Sequence, residues 1–189
     1  MILFVCEGNI CRSPVAAALL TKGLADAGVA LTVASAGTRA LIGSPADPTT
    51  SAVAAQQGIG LSEHRARQLD RATAASATVL LAASRRIRSA AVAIHPPSVR
   101  YAFTLRQLGR ILTETGFIAP AVDPHERIAE LVRHTTEHRG RYLIADPAAD
   151  DVIDPFGQPA ETHVTAIGQI RPAVEVLARA LGRSEPDWR

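Results

Sequence analysis

Val5-Cys6-Glu7-Gly8-Asn9-Ile10-Cys11-Arg12-Ser13-Pro14 decides how the rest of the chain is read. Ahead of it, Met1 to Val5 is a short apolar run with the look of a buried strand. Behind it, Ser13 suits a helix N-cap and Pro14 a first helical residue, and Val15, Leu19 and Leu20 continue at helical spacing. The stretch therefore predicts a strand, a tight loop and a helix start. Free N–H groups at such a start, with the helix dipole behind them, favour an anion. Consecutive loop amides can close into a concave nest around the same anion.

Each side chain in the stretch has a chemical use. Cys6 falls at the strand end, facing those amides and the Arg12 guanidinium. Such surroundings lower a thiol pKa from ~8.5 into a range of roughly 3.5–7.5, and the thiolate is the nucleophile. Arg12 presents a planar fork that matches two oxygens of a phosphate-like group. Gly8 permits a positive φ, and Asn9 can hydrogen-bond the loop shut from outside. Ser13 has two readings, a helix cap or a hydroxyl offered to the sulfur. The alternative for the whole stretch is a structural cysteine before an ordinary helix.

The remainder bounds the class. At 189 residues and 47% hydrophobic, the chain is expected to form one globular domain over residues 1–181, with residues 182–189 as a flexible tail. A net charge of +2 is too small to argue for nucleic acid. No apolar run approaches the ~20 residues of a membrane helix. Met1 leads into the strand with no basic n-region, so no secretory leader is expected. Cys6 and Cys11 are the two cysteines, and both lie in one loop, so they staple nothing distant. They are close enough for a reversible disulfide that would shield Cys6 from irreversible oxidation. A working thiolate calls for a reducing compartment, hence the cytoplasm.

Strands are expected at about 2–5, 31–34, 78–82 and 99–103, alternating with helices at about 14–27, 48–57 and 85–93. That alternation predicts an α/β three-layer sandwich: a four-stranded parallel sheet with helices on both faces. Ligands of such sheets sit at the carboxyl ends of the strands, where Cys6 falls. Leu105, Leu108, Ile111 and Leu112 mark a further helix ended by Gly116, and Asp123-Pro124 starts another with Ile128, Leu131 and Val132 on its apolar side. The last helix is expected over about 159–181, with Val164, Ile167, Ile170, Val174, Leu177 and Leu181 buried and a kink or break at Pro172.

Cys6-Glu7-Gly8-Asn9-Ile10-Cys11-Arg12-Ser13-Pro14 resembles the phosphate loop of the low-molecular-weight protein tyrosine phosphatases. Ser35-Ala36-Gly37-Thr38, Pro45-Ala46-Asp47-Pro48, His64-Arg65-Ala66-Arg67-Gln68 and Asp154-Pro155-Phe156 are similar to later motifs of that family, in the same order. The resemblance is strong over residues 1–70 and about 150–181, and weak between, so about 105–145 reads as a helical elaboration within the domain.

The resemblance implies a protein-tyrosine phosphatase that works through a cysteinyl-phosphate, with Cys6, Arg12 and Asp154 catalytic and no metal or cofactor. A phosphate ester needs a general acid for its leaving group, and the run Asp150-Asp151-Val152-Ile153-Asp154 offers the candidates. The family's acid is an aspartate in an Asp-Pro loop, which selects Asp154. Glu7, Gly8, Asn9, Ile10, Cys11 and Ser13 would bind the phosphate, with Leu41 and Phe156 against the substrate ring. Asn9, Ser35 and His64 match a hydrogen-bond cluster that braces the loop. Ile10 stands where arginine-phosphate-selective members have Thr, which favours phosphotyrosine. Leu41 and the segment 35–47 resemble bacterial members acting on tyrosine kinases of polysaccharide export, so a tyrosine-phosphorylated protein is the expected partner.

Two rivals are an arsenate reductase, which without cysteines after Cys11 would need an external thiol, and a non-catalytic oxyanion or phosphopeptide binder. Glu126, Glu130, His134 and His138 at i, i+4 spacing read as a solvated helix face in preference to a metal set. Arg85, Arg86 and Arg88 read as a solvated helix start.

Overall fold

The structure, a computed structural model, describes residues 1–182; most of the expected tail lies outside them. Strands β1 (Ile2–Cys6), β2 (Val33–Gly37), β3 (Val79–Ala82) and β4 (Ala102–Thr104) form one sheet in the order β2-β1-β3-β4. Every pairing is parallel. The strands read as unbroken apolar runs because both faces are covered. Ile2, Phe4, Val79, Leu81 and Phe103 face one layer, while Leu3, Val5, Leu80, Ala82 and Ala102 face the other. The first layer holds α1 (Arg12–Asp26), α2 (Pro48–Gln56), α5 (Leu105–Thr115), α6 (Pro124–His138) and α7 (Ala160–Leu181). The second holds α3 (Arg71–Ser76) and α4 (Arg85–Ile94). The strand order reverses across β1 and β3, the switch point where open α/β sheets leave a crevice for ligands.

Several boundaries move from their expected places. β2 runs to Gly37, because pairing of Ala36 with Val5 and Gly37 with Cys6 extends it past residues with little strand propensity of their own. Residues 96–100 form a 3₁₀ turn in place of the start of the fourth strand. α3 gave no periodic signal; Asp70 starts it by accepting the Thr73 N–H at 2.7 Å. α7 passes Pro172 unbroken, held by the buried Ile170, Ala173, Val174 and Leu177 on either side. Val164 is exposed, and His163 takes its place inside.

The α5 segment lies in the core beneath α7. α6 begins at an Asp123 cap and sends the buried Arg127 to the carbonyl of Leu181 at 2.9 Å, closing the end of α7. The crossing of α5 and α7 depends on Gly109: a Cβ there would stand 2.6 Å from the Ala173 Cβ and 2.7 Å from its Cα. Gly109→Ala is therefore expected to lower stability by about 1–3 kcal/mol, although the same change in an exposed helix gains about 1 kcal/mol. A denaturant midpoint at or above the wild-type value would contradict this close approach.

Candidate active site

The loop between β1 and α1 is inverted relative to an ordinary connection: its carbonyls face the scaffold. Thr38 N–H donates to the Cys6 carbonyl (3.0 Å), Arg39 to Glu7 (3.0 Å), Leu41 to Gly8 (3.1 Å) and Asp47 to Ile10 (2.9 Å). The N–H groups of Glu7, Gly8, Ile10 and Cys11 donate no backbone hydrogen bond among the described residues. Asn9 carries the turn at φ 55°, in the left-handed region that a residue other than glycine enters at a cost. Its side chain holds that conformation. Nδ2 donates to Ser13 Oγ (2.8 Å) and Ser35 Oγ (2.9 Å), and Oδ1 accepts the Arg67 N–H (2.8 Å). His64 Nε2 meets the Asn9 carbonyl at 2.6 Å. Gly37 must be glycine, since a Cβ would come within 2.4 Å of the Glu7 carbonyl oxygen.

Cys6 is buried at the base of this loop. Its Sγ receives the Asn9 N–H at 3.2 Å and lies 3.0 Å from Ser13 Oγ. Arg12 is also buried, with Nη1 on the Val152 carbonyl (3.4 Å) and Nη2 on Asp154 Oδ2 (2.6 Å). Its Nε has no partner among the described residues. A buried guanidinium N–H without an acceptor is costly, and an oxyanion over the sulfur would remove that cost. Cys6, Arg12 and Asp154, 142 residues apart at the extremes of the ion pair, line one cleft of about 390 Å³.

Residues 1–115 match the low molecular weight phosphotyrosine protein phosphatase family. The chain belongs to that family. It is thereby a phosphoric monoester hydrolase. It is 43% identical over 107 residues to the probable low molecular weight protein-tyrosine-phosphatase EpsP of Ralstonia solanacearum, covering 57% of this chain and 71% of the relative. The structure of Vibrio vulnificus Wzb in complex with benzylphosphonate matches with TM-score 0.66 and 26% identity over 94% of this chain and 95% of the other. The YwlE arginine phosphatase of Geobacillus stearothermophilus matches with TM-score 0.65 and 29% identity over 94% and 89%. The family match runs through α5, so the part of the chain beyond it begins at the α5–α6 connection.

The cleft is lined by both apolar and charged side chains. Ile10, Leu41 and Phe156 supply the apolar wall. Leu41 and Phe156 are about half exposed. Glu7, Gly8 and Cys11 also line the cleft. The side chains of Asn9 and Ser13, expected to bind substrate, do not line the cleft: both are covered and brace the loop from beneath. Ser13 is not the helix cap either, since α1 starts one residue earlier and its hydroxyl sits on the sulfur. Of its two readings, the second is the one observed.

Glu7 accepts from both Arg86, at the start of α4, and Arg39. These two guanidinium groups, Arg86 foremost, hold its carboxyl below the usual range. Arg85 binds Asp151 and Arg88 donates to the Ala102 carbonyl at 2.6 Å, so the helix start read as solvated is tied to its surroundings. The partners lie too far along the chain for spacing to reveal them. The face of Glu126, Glu130, His134 and His138, expected to be solvated, is partly engaged: His134 stacks between Phe117 and His138, and Glu130 accepts the Ala121 N–H. Among the described residues no group of three or more His, Cys, Asp or Glu is placed to hold a metal, and no helix is long and apolar enough to cross a membrane.

Burial pushes the Cys11 thiol up to about 12, so it stays protonated beside Cys6. Burial also lowers the His64 pKa. The folded protein therefore resists a proton that the unfolded chain accepts near pH ~6.5. Stability is full above that value and falls as pH drops below it. Between about pH 7.5 and 5.5, wild type is expected to lose more stability than His64→Gln; parallel pH profiles would contradict the burial of the imidazole in the folded protein.

Proposed function

We propose that the protein hydrolyses phosphotyrosine in phosphorylated proteins by two in-line displacements at phosphorus. Cys6 Sγ attacks as the thiolate while Asp154 gives its proton to the departing phenolate oxygen. The S–P bond forms as the P–O bond to the ring breaks. Water then attacks the cysteinyl-phosphate, Asp154 takes its proton, and inorganic phosphate leaves. Loop amides from Glu7 to Arg12 and the Arg12 fork hold the three equatorial oxygens, the main electrostatic stabilisation of a loose phosphoryl transition state. The observation that carries this reading is one cleft lined by Cys6, by loop residues whose amides make no backbone hydrogen bond, and by Arg12, whose buried Nε has no partner among the described residues.

The apolar wall of Ile10, Leu41 and Phe156 favours an aromatic ester over a guanidinium phosphate. A bacterial tyrosine kinase of polysaccharide export is the substrate suggested by Leu41 and the segment 35–47, with the cytoplasm as the compartment. Under peroxide, Cys6 sulfenic acid and the Cys11 thiol would condense to a disulfide with loss of water, switching the enzyme off reversibly. Phosphate release from matched phosphotyrosyl and phosphoarginyl peptides, without metal and under reducing conditions, tests the reading. Faster turnover of the phosphotyrosyl peptide is expected; preference for phosphoarginine, or turnover of neither, contradicts it.

A further inference from the structure

Asp154 belongs to a stretch without regular structure, and its side chain is half exposed. Its position therefore depends on what anchors the residues before it. Val152 N–H donates to the Ala83 carbonyl at the end of β3 (2.8 Å), and Ile153 N–H to Gln169 Oε1 of α7 (2.9 Å). Upstream, the anchors are arginines. Arg85 of α4 grips the Asp151 carboxylate, and Arg106 of α5 donates to the Asp151 carbonyl at 3.0 Å.

The innermost anchor is Arg110 of α5. Its Nη2 lies 3.1 and 3.0 Å from the two oxygens of Asp150, and the pair is largely covered. A shielded pair of this geometry fixes both partners more firmly than surface ion pairs do. The same guanidinium donates through Nη1 to the carbonyl of Tyr142, in the segment between α6 and the acid loop. Tyr142 in turn ends a row of rings that runs through His138 and His134 to Phe117. One side chain thus joins the helical segment beyond the family match to the loop that carries the acid.

We propose that Arg110 is a positioning residue for proton transfer by Asp154, acting through Asp150, and that the segment from Phe117 to Tyr142 serves to hold it there. This rests on the phosphatase reading above. Arg110 touches neither the phosphate site nor the cleft wall, so its loss leaves phosphate binding and attack by Cys6 in place. What changes is the alignment of the acid with the leaving oxygen, where a displacement on the order of 1 Å costs about 10²-fold.

The test compares two leaving groups on wild type, Arg110→Ala, Arg110→Lys and Asp154→Asn. Phenyl phosphate needs the proton; 2,4-dinitrophenyl phosphate leaves without one. Arg110→Ala is expected to lower kcat/KM for phenyl phosphate about 10–100-fold and to leave kcat/KM for the dinitrophenyl ester, which reports attack by Cys6 without the later hydrolysis, and inhibition by inorganic phosphate unchanged. Arg110→Lys, which keeps the charge but loses the fork, is expected to fall between and keeps the test open should the alanine variant not fold. Equal losses on both esters in the lysine variant mean a structural role only and overturn the proposal, as does wild-type behaviour on both. If Asp154→Asn also lacks the leaving-group dependence, the assignment of the acid itself fails.

Discussion

Cys6→Ser is expected to abolish phosphomonoester turnover, a loss on the order of 10⁶, while retaining tight binding of phosphate. A hydroxyl in place of the sulfur keeps the loop, since Asn9 and Ser13 are held by Ser35, Arg67 and each other as well as by Cys6. It removes the one atom able to attack at neutral pH. Binding should persist because, on the proposed reading, the oxygens are held by Arg12 and by the amides of Glu7, Gly8, Ile10 and Cys11, none of which bonds to the sulfur. Phosphate titration of the variant by calorimetry, beside turnover of an aryl phosphate, separates the two. A serine variant that still turns over would contradict the nucleophile assignment, and one that binds no phosphate would contradict the anion site.

Asp154→Asn is expected to lower turnover of poor leaving groups by about 10²–10⁴-fold. The carboxylate lies 2.6 Å from Arg12 Nη2, so the amide also removes the ion pair across the cleft. Half exposure makes that pair a weak contributor to stability. Thermal unfolding of the variant should therefore stay near wild type while activity collapses. The leaving group separates the roles further: the loss should grow as the leaving oxygen becomes more basic. A loss independent of the leaving group would assign the acid to another group, Asp151 or Asp150 first among them.

The core of the site was legible because its parts sit close together in sequence. Strand, loop, Arg12 and helix start span a dozen residues, and a loop that short leaves few ways to arrange them. The sheet was legible for a similar reason: β1 and β3 are buried on both faces and read as unbroken apolar runs. β2 ends later than expected because Ser35, Ala36 and Gly37 become strand only by pairing with β1.

What spacing could not show was the set of arginine partnerships. Arg86 with Glu7, Arg85 with Asp151 and Arg110 with Asp150 join residues 79, 66 and 40 positions apart. Each of these arginines looks solvated on its own helix, and Arg85 and Arg86 do remain exposed; packing of α4 and α5 beside the phosphate and acid loops supplies the carboxylate that each one meets, and covers Arg110. Asn9 and Ser13 were assigned to the substrate for a related reason. The loop motif names its members without saying which ones face the anion and which face the scaffold.

The most direct test of a cysteinyl-phosphate mechanism is to trap it. Wild type mixed with an aryl phosphate and quenched in acid within one turnover should carry phosphorus on the peptide that contains Cys6, found by mass spectrometry, and Asp154→Ala should let that species persist longer through its slowed hydrolysis. Phosphorus on another residue, or release of phosphate with no covalent species at any quench time, would contradict the account.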